Sequence, residues 1–540
     1  MTTPVDLPDS IEGLRALLLS QAAQHEAEKQ QLLSEKQEIV SEKQQIVSEY
    51  SAEIQQLREY IRLLKSQRFG PRSERTPSEQ LGLFNEAEVL SDAEGETDSS
   101  TIQVPSHTRR RRGGRRPLPD FLPREEILHD LPEDQKVCAN DPSHTLQEIG
   151  REKLEQLVFL PATAKVRVHV RPKYACSCCK DVVKVASLPP QPIPKSLATP
   201  SLLAQVATSK YVDALPLHRQ AKIFQRMGID LSRATLASWM IRMGELVEPL
   251  LERMLGEIRG SDYVQCDETP FQVLKEDGKR ARSESYLWAL RGAAPEHPLL
   301  FYEYDRTRSG EVPKRLLRGF QGFLHTDGYA GYGAIGAEPG VVHVGCFAHA
   351  RRKFDEALRG QGSSRKKPKA KESLARQGLR RINQLYEIER GCRETSPEER
   401  YAIRQEKTKP RLEELRTWLD ASLGRVPPGS LTGKALAYLE GQWPKLVHVL
   451  DDGRIPLDTN LVENAIRPFV LGRRNWLFAD TPKGAQASAR LYSLVETAKA
   501  NGIEPWAYLH QVFARLPAAT TAEDIEALLP WRIEIPPFHR

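Results

Sequence analysis

The chain has 540 residues, of which 39% are hydrophobic and 28% charged, as is typical of a soluble protein with several domains. No apolar run approaches the ~18 residues of a membrane span, and the N-terminus lacks a signal-peptide pattern. We therefore expect a cytoplasmic protein without membrane contact. The net charge of +6 is modest, and seven Cys residues in this length exclude a disulfide framework.

Residues 10–66 predict a coiled coil. A heptad repeat begins at residue 34, and one heptad position carries the apolar residues Leu33, Val40, Val47, Ile54 and Ile61. A second apolar position, three residues later, carries Tyr50, Leu57 and Leu64. Apolar residues at both positions favour self-association, so we expect a homodimer or a larger assembly. The alternative is one long helix that packs on its own protein.

Residues 67–124 are predicted to be a linker, since they are rich in Ser, Glu, Pro and Thr. The linker contains an arginine block, formed by Arg109, Arg110, Arg111, Arg112, Arg115 and Arg116. A local basic block of this kind suits a polyanion such as DNA. The alternative is a solvated, flexible segment.

Residues 125–195 predict a small β-rich, zinc-ribbon-like module, because residues 157–161 and 164–174 alternate with a period of two. Two cysteines in this module, Cys176 and Cys179, have the spacing of half a zinc ribbon. The best candidates for the other ligands are Cys138 and His144, although their spacing is not that of a standard zinc knuckle. The alternative is a module that folds without metal.

Residues 196–257 read as helical and contain the outline of a helix–turn–helix. Gly228 ends one predicted helix and Ser232 caps the next, with Arg233, Thr235 and Ser238 near the front of the second helix. A scaffold hairpin without a DNA contact is an equally valid interpretation.

Residues 258–346 predict an α/β unit with strands at 263–266, 285–290, 298–304 and 322–326. Residues 347–454 are mostly helical and charged, residues 455–516 are helical again, and residues 517–540 are expected to form a C-terminal tail. Asp267 and Asp327 follow the first and fourth of these strands. Glu463 lies on a predicted helix that could pack on the same sheet.

Three carboxylates placed in this way could bind divalent ions, which prefer oxygen ligands. The arrangement resembles a ribonuclease-H-like plan, in which two ions activate an attacking oxygen and stabilise a leaving one. Each acid also has a structural interpretation. Asp327-Gly328 is a turn dipeptide, and Asn460-x-x-Glu463 fits a helix capping box.

The helix that carries Glu463 has one polar face, formed by Asn460, Glu463, Asn464 and Arg467. Shortly after this face come Arg473, Arg474 and Trp476, so we expect Arg467, Arg473, Arg474 and Trp476 to contact DNA. Three other residues are secondary candidates: Glu268 is expected to face away from Asp267, Glu496 is an auxiliary acid at best, and His349 is either structural or close to the metal site.

Six motifs in this order resemble the insertion-sequence-66 family of bacterial transposases. They are YVQCDETP (263–270), LHTDGYAGY (324–332), GCFAHARRKF (345–354), DTNLVENAIRP (458–468), GRRNWLFA (472–479) and ARLYSLVETAKANG (489–502). The resemblance extends from about residue 50 to the C-terminus and includes RFGPRSER (68–75) and the segment from 125 to 195.

This resemblance implies a DDE transposase that uses Asp267, Asp327 and Glu463 with Mg²⁺ (or Mn²⁺) to cleave insertion-element ends and transfer them into target DNA. It also implies that the helical segment interrupts the catalytic fold, that small accessory proteins take part, and that the protein is associated with the bacterial nucleoid. The family's zinc segment has four Cys, from which this chain departs. The alternatives are a nuclease on the same fold without strand transfer and a DNA-binding regulator.

Overall fold

The computed structural model describes residues 11–69, 164–175, 183–361 and 372–535. The chain divides into two compact units, one formed by residues 98–189 and the other by the remaining chain on both sides. The described elements are both α and β, with helices predominating. Within these ranges, no helix is long and apolar enough to cross a membrane.

The smaller unit contains a two-stranded antiparallel sheet of β1 (Lys173–Ala175) and β2 (Val183–Val185). The prediction of a strand over residues 164–174 is therefore wrong for most of its length, since only its last two residues belong to β1. The alternating side chains Val166, Val168 and Val170 are exposed, because the described part of this unit offers no apolar layer to cover them. The arginine block of residues 109–116 and the candidate zinc ligands Cys138, His144, Cys176 and Cys179 lie outside the described residues.

Four helices open the main part of the larger unit: α2 (Pro200–Tyr211), α3 (Leu217–Arg226), α4 (Arg233–Leu246) and α5 (Glu248–Arg259). Gly228, at φ +77°, lies in the turn between α3 and α4, and the Ser232 hydroxyl accepts the Thr235 N–H at 3.1 Å as the N-cap of α4. The two helices and their turn are thus as predicted. Arg233 and Ser238 are exposed, and their contact with DNA stays a prediction.

A five-stranded sheet follows, formed by β3 (Tyr263–Gln272), β4 (Glu284–Gly292), β5 (Leu299–Asp305), β6 (Gly322–Thr326) and β7 (Val341–Gly345). The strand order is β5-β4-β3-β6-β7. The first three strands form an antiparallel meander, while β6 and β7 run parallel to β3. Two short helices, α6 (Glu311–Leu316) and α7 (Gly333–Gly336), precede β6 and β7 respectively.

The expectation that Asp267 ends its strand is wrong, because β3 continues to Gln272 as the partner of β4. The parallel pairing with β6 reaches only as far as Gln265, opposite His325, and β6 ends at Thr326. Asp267 therefore lies inside β3, at the level where its neighbour β6 stops.

Three long helices complete the larger unit around the sheet: α13 (Asn460–Trp476), α14 (Pro482–Ala500) and α15 (Pro505–Arg515). Edge strand β5 is covered by α14. The hydroxyl of Ser493 accepts the Tyr302 N–H at 2.8 Å, and that of Thr497 accepts the Leu300 N–H at 3.0 Å. These bonds satisfy donors that an open sheet edge would expose.

Between β7 and α13 the chain forms α8 (Phe347–Gln361), α9 (Leu374–Gly391), α10 (Pro397–Ile403), α11 (Lys409–Ser422) and α12 (Leu431–Leu446). These helices lie where the sequence predicts a helical insertion. They form a second hydrophobic core, in which Phe354, Ile382, Leu415 and Leu436 are buried together with Val344 of β7.

The N-terminal helix α1 (Ile11–Phe69) has two distinct faces near its end. On one face, Leu63 is buried against Ala357 of α8 and Leu431 of α12. On the other, the heptad residues remain exposed, including Ile54 and Ile61. The helix therefore packs on its own protein through residues that are not part of the apolar heptad stripe.

The prediction of a C-terminal tail over residues 517–540 is wrong for the part that the structure describes. Helix α16 (Ala522–Glu526) is followed by Leu528 and Leu529, which are buried in the main core. The Tyr508 hydroxyl also donates to the Leu528 carbonyl at 3.0 Å. The sequence prediction failed because a short apolar segment this close to a terminus has too few residues to show a period.

Phe469 should be one of the most important side chains for stability. Its buried ring packs edge-on against Phe271, Trp476 and Tyr492, at centroid distances of 4.9, 5.4 and 5.5 Å. We expect Phe469→Ala to lower the free energy of unfolding by about 3–5 kcal/mol in urea titrations. Leu461→Ala on the exposed face of the same helix is the control, with an expected change within about 0.5 kcal/mol. Equal losses for both variants would contradict this packing.

Candidate active site

Asp267, in β3, and Asp327, directly after β6, lie at the same height along these two adjacent strands. Gln265 of β3 pairs with His325 of β6, and Asp267 and Asp327 each follow this pair by two residues. Since side chains of a strand alternate between faces, both acids extend on the face that carries Gln265 and His325. The Asp327 carboxylate also accepts the Tyr329 N–H at 2.8 Å. The predicted turn is therefore present, and Asp327 belongs both to this turn and to the acidic site.

Helix α13 begins against this same part of the sheet. The Gln265 side chain accepts the N–H of Val462 at 3.0 Å, and this N–H in the first turn of the helix also lies 3.1 Å from the Thr459 carbonyl. Its amide nitrogen donates to the Asp458 carbonyl at 3.4 Å and to the Tyr263 hydroxyl at 2.7 Å. One buried glutamine thus fixes the start of α13, and with it Glu463, beside Asp267.

The capping-box interpretation of Glu463 is wrong. The N-cap of α13 is Thr459, and Asn460 is the first helical residue. The Glu463 carboxylate accepts the Thr459 hydroxyl at 3.0 Å, while the Asn460 N–H donates to Asp458 at 3.1 Å. Glu463 is buried, with 4% of its surface exposed, and it is available to the acidic site.

The charges of Glu463 and Asp327 both act on Asp267, so the three carboxyls lie near one another. Burial, followed by the charges of Glu463, Glu268 and Asp327, raises the pKa of Asp267 well above its usual value. Burial also raises the pKa of Asp327 and of Glu463. Three acids that are costly to ionise together, on one half-buried face, form a site that a cation would stabilise.

Cationic side chains oppose these shifts from several elements. Burial raises the pKa of Asp327 overall. The Tyr329 N–H, followed by Arg308, Lys445 and Arg352, opposes this rise. The Arg352 guanidinium lies 3.8 Å from the Glu463 carboxylate. Sequence reasoning missed all three cations, because they come from the loop before α6, from α8 and from α12. Only Arg352, one turn after His349 in GCFAHARRKF, gave a signal that could have been followed.

His349 and Cys346 also lie at this site. His349 Nδ1 is 3.8 Å from Glu463 Oε1, and the Cys346 thiol accepts the Thr459 N–H at 3.4 Å. Burial lowers the pKa of His349 to about 4, although the Glu463 charge opposes the shift. His349 therefore lies beside Glu463, and its role there stays a prediction.

The two competing acids lie elsewhere. Glu268 faces away from Asp267 as expected and is bound by Arg308 at 2.7 Å and by the Tyr332 hydroxyl. Its charge still reaches Asp267 and contributes to the raised pKa there. Glu496 lies on α14, against β5, where it pairs with Lys499 at 2.9 Å. It is absent from the charges that shift the pKa of any of the three acids.

Of the predicted DNA contacts on α13, Arg467 lies one helical turn after Glu463, whereas Arg473, Arg474 and Trp476 lie at the far end of the helix. Arg473 is about 15 Å further along the helix than Glu463, at 1.5 Å per residue, and its guanidinium donates to the Pro270 carbonyl. Arg474 is exposed, and burial lowers the pKa of Arg467. Trp476 packs against Phe271 at 5.8 Å, so its ring is part of the core rather than a free stacking surface.

The comparisons with known proteins show the family to which this chain belongs. Residues 195–487 match the model described as Transposase IS66 family, and the chain belongs to that family. Further matches are the IS66 C-terminal element (493–531), the zinc-finger binding domain of transposase IS66 (135–180) and Transposase C of IS166 homeodomain (56–127). The zinc-finger match spans all four candidate zinc ligands.

Full-length relatives occur in Sinorhizobium fredii. The uncharacterized protein y4qI is 31% identical, with 99% of both chains covered. The uncharacterized protein y4jD is 34% identical over 77% of this chain and 81% of its own. A third, y4hP, is 32% identical over 89% of this chain and 87% of its own. The family therefore extends over the sheet, the helical insertion and the N-terminal helix.

The clustered acids should make the metal-free protein less stable at neutral pH. An acid whose pKa is raised by folding contributes stability only at low pH, and this contribution is lost as the pH rises through the folded pKa. We expect Asp267→Asn to raise the thermal unfolding temperature at pH 7 without metal by a few degrees, since ~1 kcal/mol corresponds to roughly 2–4 °C in a large domain.

The matched control is Asp277→Asn, at an exposed position in the loop after β3, which should leave the unfolding temperature unchanged. Adding Mg²⁺ should stabilise the parent but not Asp267→Asn, because a ligand that binds only the folded state raises its stability. A lower unfolding temperature for Asp267→Asn without metal would refute the electrostatic interpretation.

Proposed function

We propose that this chain is an active DNA transposase that cleaves DNA at the ends of an insertion element and joins those ends to target DNA. The observation that carries the proposal is the placement of Asp327 and Glu463 close enough to Asp267 for both charges to raise its pKa. Asp267 lies in β3, Asp327 directly follows the parallel neighbour β6, and Glu463 lies on the helix fixed against them. The family membership supports the same assignment.

We assign the catalytic unit to a ribonuclease-H-like fold. Three antiparallel strands followed by two parallel ones place the first and fourth strands side by side in the centre of the sheet. That order brings Asp267 and Asp327 together without any loop crossing the sheet. The helices of residues 347–454 then form an insertion, after which α13 returns to the sheet with Glu463.

The three carboxylates fit divalent ions of the Mg²⁺ or Mn²⁺ type, which prefer oxygen ligands. Bound there, such ions would supply the Lewis acidity that activates the attacking oxygen and neutralises charge on the leaving oxygen. In the first step, water attacks the phosphorus at an element end, and the bond to the 3′ oxygen breaks to leave a 3′-hydroxyl. In the second, this hydroxyl attacks a target phosphorus and displaces its 3′ oxygen.

The surrounding cations have a role in positioning the DNA. Arg308, Arg352 and Lys445 lie around Asp327 and Glu463, where a phosphodiester brought to the acids would be within their field. Arg308 is itself held by Glu268 at 2.7 Å and stacks over the Tyr329 ring at 3.9 Å. A guanidinium fixed in this way can orient a phosphate at little further entropic cost.

Contacts with the rest of the DNA are assigned to basic groups outside the acidic cluster. These are Arg467, Arg473 and Arg474 on α13, the exposed front of α4, and the arginine block of residues 109–116. A zinc-binding module at residues 135–180 would provide a further DNA contact. Trp476 contributes by fixing the end of α13 against Phe271 and not by stacking on a base.

Helix α1 is assigned to self-association. The docking face of this helix, around Leu63, is used within the chain, whereas its apolar heptad stripe is exposed over several turns. An apolar stripe with a seven-residue repeat is buried by a second helix of the same kind. A dimer formed in this way holds two active sites, one for each end of the element.

The first test is cleavage of DNA that carries the element's terminal repeats, in the presence of Mg²⁺. We expect Asp267→Asn to lower the cleavage rate by more than about 100-fold, since even loss of a group that only supports a metal ligand costs about 10–100-fold. Glu496→Gln is the control, because this acid is also withdrawn from solvent but lies against β5, and it should cleave like the parent.

Two other results would identify a different function. Cleavage without capture of target DNA by the 3′ ends would indicate a nuclease, and tight binding of terminal repeats without cleavage would indicate a regulator. Cleavage by Asp267→Asn at the parental rate would exclude the assignment of the acids.

The second test concerns α1. We expect Ile54→Lys to weaken dimerisation by about 1.5–3 kcal/mol per side chain, the free energy of burying an isoleucine, in sedimentation experiments. Gln55→Lys introduces the same charge next to the stripe and should leave the dimer unchanged. A parent that sediments as a monomer at all concentrations would overturn the assignment.

A further inference from the structure

Three donor groups of different chemistry meet beside the acidic cluster. The Cys346 sulfur, a ring nitrogen of His349 and a carboxylate oxygen of Glu463 all lie within 4.8 Å of one another. Only Glu463 is used by the proposed DNA chemistry, so the sulfur and the nitrogen need a separate explanation.

The backbone fixes the three groups in place. Cys346 is the residue between the end of β7 and the start of α8, and His349 follows within the first turn of that helix. The Phe347 N–H donates to the Leu457 carbonyl at 2.9 Å, which ties the start of α8 to the segment that leads into α13. The Cys-x-x-His spacing and this bond together bring both donors to Glu463.

The hydrogen bonds within this cluster are incomplete. The single hydroxyl hydrogen of Thr459 lies within reach of both Cys346 Sγ, at 3.4 Å, and Glu463 Oε1, at 3.0 Å, and can serve only one of them. His349 Nδ1 is buried and has no hydrogen-bond partner among the described residues. The Cys346 sulfur also accepts the Thr459 N–H at 3.4 Å, so the group left without a partner is the buried ring nitrogen, which faces a carboxylate oxygen at 3.8 Å. A buried polar group in this situation calls for a bound ligand.

The donor set identifies the class of ligand. Mg²⁺ prefers an all-oxygen site, whereas thiolate, imidazole and carboxylate together suit Zn²⁺ and related transition-metal ions. Two ligands of one tetrahedral Zn²⁺ lie roughly 3.4 Å apart, given Zn–N and Zn–O bonds of about 2.0–2.2 Å. The separation of 3.8 Å between His349 and Glu463 is close to this value.

We propose that Cys346, His349 and Glu463 form a site for a zinc-type ion that withdraws Glu463 from the catalytic carboxylates. The Glu463 oxygen nearest His349 is Oε1, at 3.8 Å, and once bound to this ion that oxygen is no longer available to an ion held by Asp267 and Asp327. Occupancy of the site would therefore inhibit DNA cleavage. The inhibition, but not the binding, rests on the proposed function.

The binding test uses the full-length protein and Co²⁺, which forms coloured complexes with thiolate ligands. Bound Co²⁺ is counted by equilibrium dialysis, and the thiolate-to-cobalt absorption is recorded in the near ultraviolet. We expect Cys346→Ser to bind one Co²⁺ fewer than the parent and to lose the corresponding share of the absorption. His349→Gln should show the same loss, and it preserves the thiol.

Cys392→Ser is the matched control, since this thiol is also buried but lies at the end of α9, where it donates to the Ile388 carbonyl. Cys392→Ser should bind as many Co²⁺ ions as the parent. The cysteines of residues 135–180 are unchanged in every variant, so any Co²⁺ bound there contributes equally to all of them. Equal Co²⁺ binding by the parent, Cys346→Ser and His349→Gln would overturn the proposal.

Inhibition is tested separately, by adding Zn²⁺ to the Mg²⁺-dependent cleavage reaction. Zn²⁺ should inhibit cleavage by the parent. At the same inhibitory Zn²⁺ concentration, Cys346→Ser should cleave DNA at least tenfold faster than the parent. Equal inhibition of the two proteins would refute the withdrawal of Glu463. A parent that binds Co²⁺ through Cys346 but never cleaves DNA would refute the proposed function and leave the metal site standing.

Discussion

The acidic site depends on the hydrogen bond from the Val462 N–H to the side chain of Gln265. A strand and a helix almost two hundred residues apart in sequence are joined there, next to Asp267 on one side and Glu463 on the other. Because the bond is buried, losing it would leave the Gln265 oxygen without its donor at a cost of about 1–3 kcal/mol, whereas the Val462 N–H would keep its bond to the Thr459 carbonyl. The bond therefore holds the third acid beside the sheet although many helical residues separate its two partners in sequence.

The sequence predicted most of the sheet because its strands are short apolar runs bounded by turn residues. It did not predict how far β3 extends, since the residues from Asp267 to Gln272 are held by pairing with β4 and not by a local pattern. The same applies to the segment after residue 517, where Leu528 and Leu529 are buried by tertiary packing. In residues 164–174 the alternation was clear, but alternation alone does not create a partner strand.

The site was predicted unevenly for a similar reason. Asp267 and Asp327 could be placed from the strands that precede them, whereas Glu463 had an equally good interpretation as a helix cap until Thr459 proved to be the N-cap. Arg308, Lys445 and Arg352 could not be found, because each lies on a separate element and only the folded chain brings them together. His349 and Cys346 had a visible spacing, yet nothing local to that spacing indicates that Glu463 is their neighbour.

Helix α8 has a mechanical consequence for the assembled protein. Its first turns carry His349 and Arg352 beside Glu463, and its far end holds Ala357 and Gly360 against the last turns of α1. Added at Gly360, a Cβ atom would come within 2.3 Å of Leu431, so the two helices and α1 meet there with little free space. A single helix thus joins α1, which we propose pairs two subunits, to the residues around Glu463. If α1 pairs two subunits as proposed, strain imposed on it would reach the acidic site through α8 without any loop having to move.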